Sequence, residues 1–261
     1  MQAALEQLSH RLAKLATHYD VTGEWPAESL KHLDAAGAWT WTIPREFGGL
    51  GLSTLQQTLA YEAVAAGCMS SLLILTQCDA ACELIATGAP DHLKQELLPR
   101  LARHECLATV GISQLTTSNQ GGRPALSARP EGGGYRLRGF MPWVTAAAKC
   151  EFIVAGAVVS PTEQLLAVVR TDAPGMIVDP PMQMMALQAS WTSEVHCRDV
   201  LVVANRIIRG PMPDVLSARS PIKPLVVSAA GVGLAGAMLA LCEAAVTKAS
   251  ETLKELAAEC R

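Results

Sequence analysis

The sequence predicts an α+β fold with three consecutive parts: an N-terminal helical domain, a middle domain built on an antiparallel β-sheet or β-barrel, and a C-terminal helical part. Apolar residues recur every three or four positions from Leu5 to about Cys106. Short β-type runs separated by turn residues follow. The helical period returns past Pro213 and continues to the end of the chain. We therefore expect domains at residues 1–106, 107–212 and 213–261.

The N-terminal part contains several helix signals. Leucines spaced three or four residues apart indicate a first helix at Leu5 to Leu15 and a second, with Leu55 and Leu59, that begins after Ser53. Another helix should begin near Asp91 and turn four leucines inward: Leu93, Leu97, Leu98 and Leu101. Between the first two helices, residues 43–51 contain a proline and three glycines, which predict an ordered turn.

The middle part contains five β-type runs with no long helical pattern between them. They are residues 135–138, 152–159, 165–169, 194–197 and 200–203. This succession favours antiparallel strands over a parallel βαβ sheet, in which helices alternate with the strands. No G-x-G-x-x-G motif follows a strand, so the sequence excludes a Rossmann domain.

The C-terminal part contains a stretch with no charged residue between Lys223 and Glu243. The stretch is about long enough to span a bilayer, which leaves a membrane-anchored protein as one hypothesis. It is rich in Ala and Gly, however, and this composition favours a buried helix, from about Leu225 to Val246, that neighbouring helices approach closely. We therefore expect no membrane span.

Composition narrows the functional classes. The formal net charge is −3 and the sequence pI is about 6.1, and no cluster of Lys and Arg is present, so a nucleic-acid partner is not expected. The eight cysteines show no C-x-x-C pair, so no zinc site is expected, and Cys78 and Cys82 are interpreted as buried thiols. The N-terminus shows no signal-peptide pattern, and together these features predict a reduced, cytoplasmic protein.

Three segments resemble the acyl-CoA dehydrogenase family, in the order and spacing of that family. The turn I-P-R-E-F-G-G-L-G at residues 43–51 is similar to the family's V-P-E-x-Y-G-G-L-G. The segment G-F-M-P-W-V-T at residues 139–145 is similar to G-x-K-x-W-I-T. Residues 192–202 are similar to the T-x-x-V-x-F-x-D-V-x-V that closes the family's β domain, with Cys197 in place of the aromatic residue.

The resemblance implies a flavin-dependent oxidoreductase that uses FAD for the α,β-dehydrogenation of an acyl thioester or a related substrate. It assigns cofactor binding to Ile112, Ser113, Trp143, Val144 and Thr145. A flavin requires a flat apolar wall and hydrogen-bond donors beside its ring, which an indole and hydroxyl groups provide. Without the resemblance, Trp143 reads as a core aromatic residue and Thr145 as an ordinary strand residue.

The chain departs from the family pattern in two places. The family's Y-x-x-T-E-P-x-A-G-S-D segment corresponds to residues 109–119, where Ser113 replaces the Thr and the E-P and A-G-S-D elements are absent. Substrate binding is assigned here to Ser118 and Asn119. The family's catalytic base lies in a segment beyond the position of Arg261, so the helical bundle is expected to be truncated and the catalytic residue is unknown.

Two further interpretations stay open. The chain is either an enzyme acting on acyl-CoA or a similar small molecule, or a non-catalytic scaffold or subunit that needs a partner chain. In both cases an incomplete bundle leaves apolar helix faces, which predicts a homo-oligomer or a partner chain that completes the bundle.

Overall fold

The computed structural model describes residues 2–116, 124–217 and 223–259, and for residues 223, 224 and 250–259 it describes the helical backbone alone. Six α-helices and eight β-strands form within these ranges. The helices are α1 (Gln2–Thr22), α2 (Ala27–Ala35), α3 (Thr54–Gly67), α4 (Met69–Gly88), α5 (Asp91–Ala102) and α6 (Lys223–Glu259). The strands are β1 (Ala108–Gly111), β2 (Leu126–Glu131), β3 (Gly134–Val144), β4 (Phe152–Ser160), β5 (Glu163–Arg170), β6 (Met176–Val178), β7 (Ser193–Val203) and β8 (Ile207–Met212).

The N-terminal helices form where the sequence predicts them. Helix α3 begins with a capping box, in which the Ser53 side chain accepts a hydrogen bond from the Gln56 backbone N–H and the Gln56 side chain accepts one from the Ser53 backbone. The four leucines predicted to point inward from α5 are buried. In α3, however, Leu55 and Leu59 are exposed, and the buried face carries Ala60, Tyr61 and Val64. Leucine spacing therefore located this helix but not its buried face.

The predicted turn at residues 43–51 is ordered. The Gly51 N–H donates to the Ile43 carbonyl over 3.0 Å, and the Leu50 N–H donates to the Thr40 carbonyl over 2.8 Å. A Cβ atom at Gly49 would collide with the Ile43 carbonyl, so only glycine allows this close approach. The turn holds the preceding residue, Thr42, against α4.

The strands form one sheet in the order β6-β7-β3-β2-β4-β5-β8, with β1 paired to β4. The prediction of an antiparallel sheet needs correction, because β4 pairs in parallel with both β1 and β2. Apolar runs identify strands but carry no information on their relative direction, and the remaining pairs are antiparallel. The sheet is therefore mixed.

Two of the predicted β-runs are halves of the single strand β7. Asp199 has a φ of 57° and no paired residue in the register with β3, in which Leu137 pairs with Val200 and Arg138 with Arg198. This β-bulge shifts the inward positions from odd to even numbers, so Val195 and Cys197 are buried before it, and Val200 and Val202 after it. The bulge explains why the sequence indicated two strands.

Strand β4 lies between two cores. Phe152 and Val154 pack in the cluster that contains the α5 leucines, whereas Ile153 and Ala155 pack in the cluster inside the sheet. Burial on both faces accounts for the uninterrupted apolar run of this strand. One face of β4 therefore packs against helices α4 and α5.

The C-terminal part of the described chain is one continuous helix, α6, and the predicted buried helix is wrong for most of its length. Of the side chains described from Leu225 to Ala249, only Ala229 and Gly233 are buried. Gly233 lies against α3, where a Cβ atom would collide with the Glu62 carbonyl. Val226 and Ala230 also pack against the helical core, whereas most of the described residues after Gly233 are exposed.

Two helices in the described ranges are long and apolar enough to cross a membrane, judged by length and composition. One is α4, which is 61% buried within the fold. The other is the Leu225–Ala249 stretch of α6, with a mean hydropathy of 2.2 and 11% burial. The expected absence of a membrane span therefore stays a prediction.

Candidate functional site

A cavity of about 280 Å³ lies where the sheet meets helix α4. Trp143, near the end of β3, is 55% exposed and lines this cavity together with Ile112 and Ser113, which follow β1. Its other lining residues are Gln77, Val110, Thr116 and Leu216. The structure thus brings together three of the five predicted cofactor residues, although Trp143 lies 30 positions after Ser113 in the sequence.

Ser113 contributes a side-chain hydroxyl group to the lining of this cavity. It begins a short 3₁₀ turn, Ser113–Leu115, that follows β1. The side-chain amide of Gln114 donates to the carbonyls of Gly111 and Gly156 over 2.8 and 2.6 Å, which fixes the turn. Within the described ranges, Ser113 Oγ is buried and has no hydrogen-bond partner. A ligand atom that pairs with it would remove the cost of that buried group.

The side chains of Val144 and Thr145 face the protein interior instead. Val144 is fully buried within the sheet core. The Thr145 hydroxyl lies 3.0 Å from the Thr192 hydroxyl, which lies 2.9 Å from that of Ser190. Neither residue lines the cavity that holds Trp143. Flavin contact by these two residues stays a prediction, and the predicted substrate residues, Ser118 and Asn119, lie outside the described residues.

A second cavity of about 260 Å³ adjoins the first and shares the lining residues Gln77, Val110 and Ile112 with it. We name it the Asp79 cavity, since its most buried charged residue is Asp79 of α4. Its remaining lining residues are Thr42, Tyr61, Thr76, Ala80, Glu83, Val226 and Val227. Sequence reasoning missed this cavity. The available signal was that Asp79 and Glu83 are the only charged residues in the otherwise apolar helix α4.

Asp79 is 4% exposed and both of its oxygens accept hydrogen bonds. The Tyr61 phenol donates to Oδ2 over 2.6 Å and the Thr42 hydroxyl donates to Oδ1 over 3.0 Å. Burial disfavours the charged carboxylate and raises the pKa of Asp79 to about 7, although the two hydrogen bonds oppose the rise. Burial and the neighbouring Asp79 also raise the pKa of Tyr61, so the phenol remains a donor.

The two cavities differ in charge. Among the described residues, the lining of the Trp143 cavity contains no carboxylate, and the lining of the Asp79 cavity contains two carboxyl groups and no Lys or Arg. The geometry therefore assigns no catalytic base beside Trp143. Glu243, on α6, is exposed.

One group of possible metal ligands lies on and beside β7. His196 Nε2 is 3.1 Å from Asp179 Oδ2 and 3.1 Å from Glu194 Oε1. These three side chains are half-buried and line neither cavity. The expectation that the protein needs no metal stays a prediction.

The sequence is similar to those of known proteins. The family model described as the N-terminal domain of acyl-CoA dehydrogenases matches residues 1–105. A probable acyl-CoA dehydrogenase of Bacillus subtilis is 28% identical over 207 residues, which are 77% of this chain and 54% of that protein. The sequence thus matches the acyl-CoA dehydrogenase family from residue 1 to residue 105 and is similar to members of that family over 77% of its length. This confirms the resemblance carried by the turn at residues 43–51 and by the two β-domain segments.

Further acyl-CoA dehydrogenases extend the likeness. The short-chain specific acyl-CoA dehydrogenase of Clostridium acetobutylicum is 22% identical over 259 residues, 97% of this chain and 67% of that protein. The structure of a glutaryl-CoA dehydrogenase in complex with glutaryl-CoA matches with a TM-score of 0.77 at 24% identity, over 90% of this chain and 62% of that one. These matches confirm the predicted fold class. The chain spans little more than half the length of the first relatives, 54% and 56%.

Proposed function

We propose that the protein is an FAD-dependent oxidoreductase of the acyl-CoA dehydrogenase type, which forms an α,β-double bond in an acyl thioester or a related substrate. The observation that carries this proposal is that the Trp143 indole and the Ser113 hydroxyl line one cavity at the boundary between the sheet and α4. The names of the relatives, which are acyl-CoA dehydrogenases, support the same reaction class.

The residues of the Trp143 cavity fit a flavin. The half-exposed indole offers a flat apolar wall, and the buried Ser113 hydroxyl, which has no partner among the described residues, offers a donor. Ile112, Val110 and Leu216 add apolar surface that excludes water. When bound, FAD supplies the acceptor for the hydride that leaves the β-carbon of the substrate.

The proton on the α-carbon requires a base, and we assign none. No carboxylate lines the Trp143 cavity within the described ranges. Asp79, in the adjoining cavity, already accepts hydrogen bonds from Tyr61 and Thr42. The catalytic residue therefore stays unknown.

An absorbance spectrum tests the proposal. Purified protein is incubated with FAD, passed through a desalting column and measured between about 350 and 500 nm, where bound flavin absorbs. We expect retained flavin absorbance that decreases when an acyl-CoA substrate is added anaerobically. Protein that emerges colourless after incubation with FAD would contradict the proposal.

A second candidate function is a scaffold or subunit that works with another chain, and α6 favours it. Large apolar side chains of this helix are exposed: Val227, Val232, Leu234, Met238, Leu239, Leu241 and Val246. A patch of this kind marks a surface that another helix covers, in a homo-oligomer or with a partner chain.

Light scattering tests this second function. We expect an oligomer that dissociates when Leu239 and Leu241 are both changed to Glu. The matched control is Leu55→Glu, since Leu55 is equally exposed on α3 but lies outside the α6 patch. A monodisperse monomer before any substitution would remove the support for it, and a requirement for detergent during purification would instead support a membrane-anchored α6.

We also propose a cytoplasmic location. The seven cysteines within the described ranges are free, and six of them are buried. Free thiols are typical of a reducing compartment. Fractionation of cells that express the full chain tests this location.

A further inference from the structure

The Asp79 cavity presents a buried carboxyl group to whatever occupies it. Its wall is formed by α3, α4, the Thr42 turn and the start of α6, and its apolar part is provided by Val226, Val227 and Val110. Because the two cavities share the lining residues Gln77 and Ile112, an elongated molecule that lies beside Trp143 would reach the Asp79 cavity past these side chains.

The charges of the described lining of this cavity are unbalanced. Tyr61 and Thr42 each donate one hydrogen bond to Asp79, and neither carries a positive charge. Each carboxylate oxygen accepts more than one hydrogen bond, so both retain capacity for a donor from the cavity. Glu83 adds a second acid to the described lining, which contains no Lys or Arg. A carboxylate buried without a cation is costly, and a cation placed beside it recovers that cost.

A plain alkyl chain does not match such a wall. It would cover the carboxyl group with methylene groups and would offer it no hydrogen bond. A protonated amine matches it better, because it offers up to three N–H donors and a positive charge, which the described lining lacks.

We infer that the acyl chain of the substrate ends in a protonated amine, and that Asp79 selects it. This inference names the substrate class of the site and rests on the proposed function. Asp79 is here a specificity-determining residue that contacts the far end of the acyl chain, while Tyr61 and Thr42 orient its two oxygens.

The test compares two ligands of nearly equal shape, 6-aminohexanoyl-CoA and heptanoyl-CoA, which end in an ammonium and a methyl group. Their dissociation constants are measured by calorimetry with the full chain loaded with FAD. We expect the amine to bind about 10-fold more tightly or better, the effect of a charge-assisted hydrogen bond. Asp79→Asn, which keeps the size of the side chain, should bring the ratio close to 1. Asp20→Asn removes the same charge from an exposed position of α1 and should leave the ratio unchanged.

The outcomes separate the two proposals. If heptanoyl-CoA binds as tightly as the amine or more tightly, the inference on Asp79 fails and the proposed function stands. If neither ligand binds, both fail. If circular dichroism shows that Asp79→Asn does not fold, the ratio of the two dissociation constants measured on the unmodified protein decides whether the inference holds.

Discussion

The phenol of Tyr61 donates a hydrogen bond of 2.6 Å to Oδ2 of Asp79, and this contact joins helices α3 and α4 through a buried carboxyl group. Thr42 donates to the other oxygen, so the turn that precedes α3 meets the same group. Asp79 therefore both links three parts of the helical domain and lines a cavity. Its effect on stability and its effect on binding are separable by experiment.

Asp79 makes the folded state sensitive to pH. Its folded pKa of about 7 exceeds the ordinary value of 3.8, so between these values the folded chain binds more protons than the unfolded chain. The contribution of Asp79 to stability is fully present below about pH 4 and is lost as pH rises through about 7. The loss is at most about 4 kcal/mol. The free energy of unfolding, measured with urea, should differ less between pH 5 and pH 8 in Asp79→Asn than in the unmodified protein.

The control for this measurement is Asp20→Asn. The carboxyl group of Asp20 is exposed, so this substitution removes a charge without removing a buried group. It should retain the slope of the unmodified protein. Equal slopes for all three proteins would show that Asp79 is not the group responsible.

Trp143→Ala should weaken FAD binding by about 10-fold or more, because the flat wall of the cavity is lost. The fold should be little affected, since the indole is 55% exposed. Trp25→Phe is the control, because Trp25 packs edge-on against Trp191 and lines neither cavity. Flavin fluorescence titration gives both affinities, and an equal loss in the two variants would argue against a specific role for Trp143.

Thr145→Val tests whether its hydroxyl serves the structure or the cofactor. The substitution removes the partner of Thr192 and should lower the free energy of unfolding by about 1–3 kcal/mol. FAD affinity should change less than in Ser113→Ala, which removes a hydroxyl that lines the cavity. Loss of flavin without loss of stability in Thr145→Val would mean that this hydroxyl faces the cofactor.

Gly233→Ala should destabilise the protein by about 1–3 kcal/mol, because the new methyl group collides with the backbone of α3 at Glu62. Gly231→Ala is the matched control, two positions away in the same helix. A Cβ at Gly231 meets nothing within 4 Å, so this variant should gain about 0.5–1 kcal/mol from helix propensity. If thermal unfolding shows that both substitutions change the stability in the same direction, the contact between α3 and α6 is wrong.

Local patterns in the sequence were sufficient for much of the fold. Helix α5 follows from leucine spacing and the Asp91 start, and α3 follows from its Ser53 cap, since caps and periodicity act within a few residues. Strand direction depends on pairing between distant segments, so the parallel pairs of β4 were missed. The β-bulge at Asp199 divided one strand into two patterns, because it reverses the inward side of β7.

The site was predictable in part, and only through the family resemblance. Residue types alone gave no reason to join Ser113 and Trp143, yet they line one cavity. Thr145 was assigned from the motif, whereas its surroundings depend on the Thr192 and Ser190 hydroxyls, which lie about 50 residues later. The role of Asp79 was missed because it depends on hydrogen bonds from Tyr61 and Thr42, and no local sequence pattern connects these residues to Asp79.

The close contact between Gly233 and α3 is a point about which helix α6 can tilt. Val226 and Val227, which form part of the cavity wall, lie about 10 Å from this contact along the helix axis, on one side. The exposed Leu239 and Leu241 lie a similar distance away on the other side. A tilt of helix α6 about the Gly233 contact would move the two valines and the two leucines in opposite directions. The width of the space facing Asp79 would then change with the position of residues some 20 Å away along the same helix.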